Sequence, residues 1–121
     1  MTLAPETTRP ATALTLQLLL EEEDWFTVCE LSLLTPGRGV AALLPDGRQA
    51  ALFTDRAGRT YAIDNRDPFT GAAVLSRGLT GTHQGRPFVA SPLLKQRFDL
   101  ESGQCLDDED VRVATYEVRA A

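Results

Sequence analysis

The chain has 121 residues, 43% of them apolar, and a formal net charge of −5. That describes one small domain able to bury a single hydrophobic core rather than a disordered chain. The acidic balance argues against a general nucleic-acid binder, which needs Lys and Arg to neutralise phosphates, and no apolar run approaches the ~18 residues of a membrane-spanning helix.

Residues 1–13 are rich in Thr, Pro and Ala and are expected to lack fixed structure. The hydrophobic tract Ala13–Leu20 has no basic leader region and runs into Glu21-Glu22-Glu23-Asp24, so it makes a poor secretory signal and points to a cytoplasmic chain. Two readings compete from Leu14 to Asp24. A short helix would gather Leu16, Leu19 and Leu20 on one face, whereas the leucine alternation would suit an added edge strand. The expectation adopted is an extension over residues 1–24, flexible or a short helix, ahead of a domain at 25–121.

From Trp25 onward short apolar stretches alternate with turn signals. Trp25–Cys29 is aromatic and β-branched, as strands are. Val40–Leu44 and Gln49–Thr54 flank Pro45-Asp46-Gly47-Arg48, whose Asp-Gly pair suits a hairpin turn. Arg56-Ala57-Gly58 leads to a strand at Thr60–Asp64. Further strands are expected at Pro87–Ser91, Gln96–Leu100 and Val111–Val118. Strands of this length predict an all-β antiparallel sandwich or small barrel.

Cys29 and Cys105 belong to no Cys-x-x-Cys motif and read as small buried side chains in a reducing compartment. Lone His83, within Thr80-Gly81-Thr82-His83-Gln84-Gly85, reads as a solvated loop residue. The acidic runs Glu21–Asp24 and Asp107–Asp110 read as solvated turns. No nucleophile elbow, phosphate loop or dinucleotide fingerprint is present, so no catalytic or cofactor-binding residue is expected.

Two loops carry the sharpest signal: Asp67-Pro68-Phe69-Thr70-Gly71 and Ser91-Pro92-Leu93-Leu94, each after a predicted strand. Their outline resembles the paired loops of a Rieske domain, Cys-Pro-His-x-Gly and Cys-Pro-x-His, in which two thiolates and two imidazoles hold a [2Fe–2S] centre. Asp67, Phe69, Ser91 and Leu94 fill the four ligand positions. Phe and Leu cannot coordinate iron, and Asp and Ser replace soft thiolates poorly. The expected fold is therefore Rieske-like, of the iron–sulfur-protein type, with a ligand-free cluster-loop subdomain.

The strings Asn65-Arg66-Asp67-Pro68-Phe69 and Ser91-Pro92-Leu93-Leu94-Lys95-Gln96-Arg97-Phe98-Asp99 more particularly resemble the small subunits of assimilatory NAD(P)H-dependent nitrite reductases. The resemblance covers about Trp25 to Arg119. It implies a non-catalytic companion, without a redox centre, of a large subunit that carries FAD, an iron–sulfur cluster and sirohaem and reduces nitrite to ammonium. The alternative is a cluster-free interaction module of another oxidoreductase complex.

Without metal, the loops must close by packing and hydrogen bonding: Phe69 against Leu94, and Asp67 and Ser91 to nearby backbone. A hard cation held by Asp64, Asn65, Asp67 and Ser91 is disfavoured by spacing and by neighbouring arginines. A docking surface would draw on Arg66, Phe69, Arg77, Leu94, Lys95 and Arg97. Between residues 64 and 97, Arg66, Arg77, Arg86, Lys95 and Arg97 outnumber Asp64 and Asp67 by three, on a chain of net charge −5. A positive tip on an acidic body would orient an acidic partner.

Overall fold

A computed structural model describes residues 14–21 and 23–121. Ten short strands follow in order: β1 (Thr15–Glu21), β2 (Asp24–Glu30), β3 (Val40–Leu43), β4 (Gln49–Thr54), β5 (Thr60–Asp64), β6 (Leu79–His83), β7 (Arg86–Ala90), β8 (Arg97–Asp99), β9 (Thr115–Tyr116) and β10 (Val118–Ala120). They form three antiparallel sheets, ordered β10-β1-β2, β3-β4-β5-β9 and β6-β7-β8. The all-β architecture read from the turn spacing is the one observed.

The middle sheet owes its place to β4. Its Ala50 and Leu52 point to one face and Ala51 and Phe53 to the other, as the two-residue period of a strand requires, and all four are buried. Ala50 and Leu52 join Leu16, Leu18, Leu44 and Ala62 in one core beneath the first sheet. Ala51 and Phe53 join Ile63, Leu75, Val89, Phe98, Leu100, Cys105 and Val113 in a second core beneath the third sheet. A strand buried on both faces reads as a continuous apolar run, and Ala50–Phe53 is one.

The expected helix or flexible extension over Leu14–Asp24 is corrected by β1. Leu16 and Leu18 are both 0% exposed, so the alternating pattern governs this tract and not the helical one. Nor is β1 an edge: Leu16 and Leu18 stand opposite Ala120 and Val118 on one side and Cys29 and Phe26 on the other. The chain's last residues supply the second neighbour, closed by reciprocal bonds between Thr15 and Ala121, N–H to O, of 2.9 Å each. Residues 1–13, expected to lack fixed structure, lie outside the described residues.

Two other expectations need revision. Val111–Val118 is not one strand. Val113 N–H donates to Gly103 O at 2.8 Å, and pairing resumes as β9 on the middle sheet and β10 on the first, with Glu117 at the crossing between sheets. The stretch around His83 is not a loop but β6, turned into β7 by Gln84 and Gly85, both at positive φ (53° and 80°), the geometry a two-residue hairpin favours. His83 itself is exposed, at the end of its strand.

Candidate functional site: the two loops at the sheet tip

Residues 65–74 follow β5 and residues 91–96 join β7 to β8, so the strand directions bring both loops to one end of the molecule. Each loop is folded around the residue that precedes its proline, Asp67 in the first and Ser91 in the second. Asp67 N–H donates to Ala72 O at 2.8 Å and Asp67 O accepts from Gly71 N–H at 2.7 Å, with Gly71 at φ +80°. Ser91 N–H donates to Gln96 O at 2.8 Å, and Ser91 O accepts from Lys95 N–H at 3.0 Å.

The two loops are then tied directly to each other. Ser91 Oγ donates to Asp67 Oδ2 at 2.6 Å, within the short range for a hydroxyl donor. Asp67 Oδ1 accepts the Phe69 N–H at 2.8 Å, and Ser91 Oγ accepts the Leu93 N–H at 3.3 Å. Both residues are essentially sealed, at 0% and 1% exposure. The sequence suggested only local turn bonds for Asp67 and Ser91. The bond between them was not legible, because nothing in the chain signals that residues 24 positions apart meet.

Phe69 is half-buried on the second core, its ring centroid 6.2 Å from that of Phe98. The expected Phe69–Leu94 packing is replaced by this contact, and Leu94 is left 54% exposed beside Leu93 at 50%. Asn65 is a structural residue that the sequence reading valued only as a possible cation donor. Its Oδ1 accepts the Ser76 N–H at 2.7 Å, and its Nδ2 donates to Gln49 Oε1 at 2.9 Å and Ala73 O at 3.2 Å. It thereby pins the base of the first loop.

The residues present do not fit the [2Fe–2S] group that Rieske-type loops hold. Phe69 and Leu94 carry no side-chain donor atom, and Asp67 and Ser91 spend their side-chain oxygens on each other and on backbone N–H groups. The hard-cation reading fails likewise, since Asn65 is fully engaged and Asp64 Oδ1 accepts the Arg66 N–H at 3.0 Å. Among the described residues no group of three or more His, Cys, Asp or Glu side chains could hold a metal.

The charge at the tip is smaller than the sequence count implied. Arg97 forms a two-point pair with Asp107, Nη2 to Oδ1 at 2.9 Å and Nε to Oδ2 at 3.3 Å. That contact holds the Asp107 carboxyl below its usual range, chiefly through the Arg97 side chain and then its N–H. Arg86 pairs with Asp99 (Nε to Oδ2, 2.6 Å) and with Glu101 (3.0 Å). Among the described residues Arg66, Arg77 and Lys95 form no ion pair. Of these, Arg66 Nη1 caps Gly71 O at 3.1 Å.

The three-sheet fold with its pair of loops tied at one end is that of a Rieske-like domain, and residues 24–121 match the Rieske-like [2Fe-2S] domain family. The chain is 47% identical over 96 residues to the nitrite reductase (NADH) small subunit of Salmonella typhimurium, spanning 78% of this chain and 88% of that one. A crystal structure from Mycobacterium tuberculosis, described as an NADH-dependent nitrite reductase small subunit, superposes with a TM-score of 0.78 at 50% identity, covering 82% of this chain and 88% of that one. The chain belongs to the nitrite reductase small-subunit family. A stretch of the nitrite reductase NAD(P)H large subunit of Klebsiella oxytoca is also similar, 41% identical over 101 residues, which is 83% of this chain and 10% of that protein.

Proposed function

We propose that this chain is the non-catalytic small subunit of a cytoplasmic assimilatory nitrite reductase. In this reading it binds and supports a large subunit that carries FAD, an iron–sulfur cluster and sirohaem and takes nitrite to ammonium with electrons from NAD(P)H. The observation that carries the reading is the Ser91–Asp67 bond of 2.6 Å, which closes the loops where ligands would otherwise be needed. A redox role needs a centre, and these side chains offer it nothing to bind. The Klebsiella large subunit supports the choice of partner, because there a similar module shares one polypeptide with the rest of that subunit.

The test is a tagged pull-down from nitrate-grown native cells, with a visible spectrum and an iron assay of the eluate and of the chain alone. The expected result is a colourless chain that recovers a large partner with flavin and sirohaem bands, active in nicotinamide-dependent nitrite reduction. Stoichiometric iron and acid-labile sulfide on the isolated chain would overturn the non-redox role. Recovery of a different oxidoreductase would overturn the nitrite assignment.

A further inference from the structure

Among the described residues three non-glycines have positive φ: Glu23 (59°), Gln84 (53°) and Lys95 (69°). The first two sit in the β1–β2 and β6–β7 hairpin turns, where such backbone closes a tight turn. Lys95 is different. It lies in the second tip loop, where its N–H closes a turn on Ser91 O at 3.0 Å; the matching position of the first loop, closing on Asp67 O, is Gly71, and glycine adopts this backbone without the steric cost a Cβ brings. A costly residue kept in place of a cheap one points to work done by its side chain.

Its surroundings say what kind of work. Lys95 is the only lysine in the chain. It is exposed, and among the described residues its ammonium makes no ion pair, whereas Arg48, Arg59, Arg86 and Arg97 each have an acidic partner within 4 Å. Beside it Leu93 and Leu94 present half their surface to solvent at 50% and 54%. Leu79, opposite Ala90 in the β6–β7 register and 78% exposed, stands at the root of the same loop. Scattered exposed leucines are ordinary. Here two consecutive ones crown a loop stiffened by Pro92 and by the bonds to Ser91, next to an unanswered positive charge. Apolar centre and charged rim together are the anatomy of a docking site.

We propose that Leu93, Leu94 and Lys95 are the contact through which this chain seats on the large subunit, the leucines entering an apolar depression and Lys95 meeting a carboxylate at its edge. Arg66, in the first loop, adds positive charge at the same end of the molecule, while the charge of Arg97 is already answered by Asp107. This rests on the subunit assignment above and specifies the surface it uses.

A single lysine makes the test direct. Reductive methylation labels its ε-amine and the N-terminal amine only, so peptide mapping reads Lys95 alone. In the purified complex of both subunits Lys95 is expected to be protected, and in the free chain it is expected to label fully. Lys95→Gly should fold at least as stably as the parent, its melting temperature equal or higher by up to ~5 °C, yet bind the large subunit at least ~10-fold more weakly, with a flatter salt dependence. Lys95→Arg should keep most of the affinity. Leu94→Ser should weaken binding comparably, and Arg56→Glu, at the strand ends away from the tip, should leave it unchanged. If the parent binds and Lys95 labels equally in the complex, or Lys95→Gly and Leu94→Ser bind as the parent does, the docking surface is wrong and the subunit reading stands. If the parent binds no large subunit, both fall.

Discussion

Asp67 and Ser91 carry the clearest consequence at the scale of single side chains. Ser91→Ala removes the 2.6 Å donor to Asp67 Oδ2 and leaves a buried acceptor without a partner. The expected loss is about 1–3 kcal/mol in urea-denaturation stability. Removing both, in Asp67→Ala with Ser91→Ala, should cost less than the sum of the singles, because contacting partners couple. Strict additivity in that cycle would show that the two loops are not joined there. Leu94 needs no such compensation, since its side chain already faces solvent, and its replacement should leave stability within about 0.5 kcal/mol.

At the scale of elements, β1 makes the opposite case. Leu18 is 0% exposed at the centre of a sheet, so Leu18→Ala should cost about 2–5 kcal/mol, measurable as an earlier denaturant midpoint with an unchanged slope. A neutral result would restore the view of this tract as an appendage. The strands with strong turn punctuation, β4 and β5, were legible to the residue, because Asp46-Gly47 and Ala57-Gly58 fix where they begin and end. β1 was not, because its second neighbour is β10, about a hundred positions away, and no local pattern reports that pairing. β6 was obscured by its own composition: Thr, Gly and His resemble a turn until β7 pairs with them. In the loops the two proline-containing turns were legible, while the cross-loop bond and the turning of Phe69 toward Phe98 were tertiary facts.

For the molecule as a whole, acid should lower stability in part through Asp99. Burial alone would raise the Asp99 carboxyl, but the Arg86 side chain and the N–H groups of Ser102 and Glu101 outweigh it and hold the group below its usual 3.8. A pKa depressed by folding adds stability that is present above the unfolded value and is lost as pH falls through the lower folded one. The stability difference between the parent and Asp99→Asn should therefore stay constant from about pH 7 to 5 and shrink below about pH 4. A difference that widened on acidification would reverse the sign and remove the Arg86 pair from the account.

β4 gives Ala50 and Leu52 to one core and Ala51 and Phe53 to the other. Only the second of these underlies Phe69 and the tip. Substitutions in the loops are therefore felt by one core, while the other holds β1, β2 and β10 together. The Asp67–Ser91 clasp sits wholly on one side of that partition, so its loss should loosen the loops without loosening the sheet on the other face of β4.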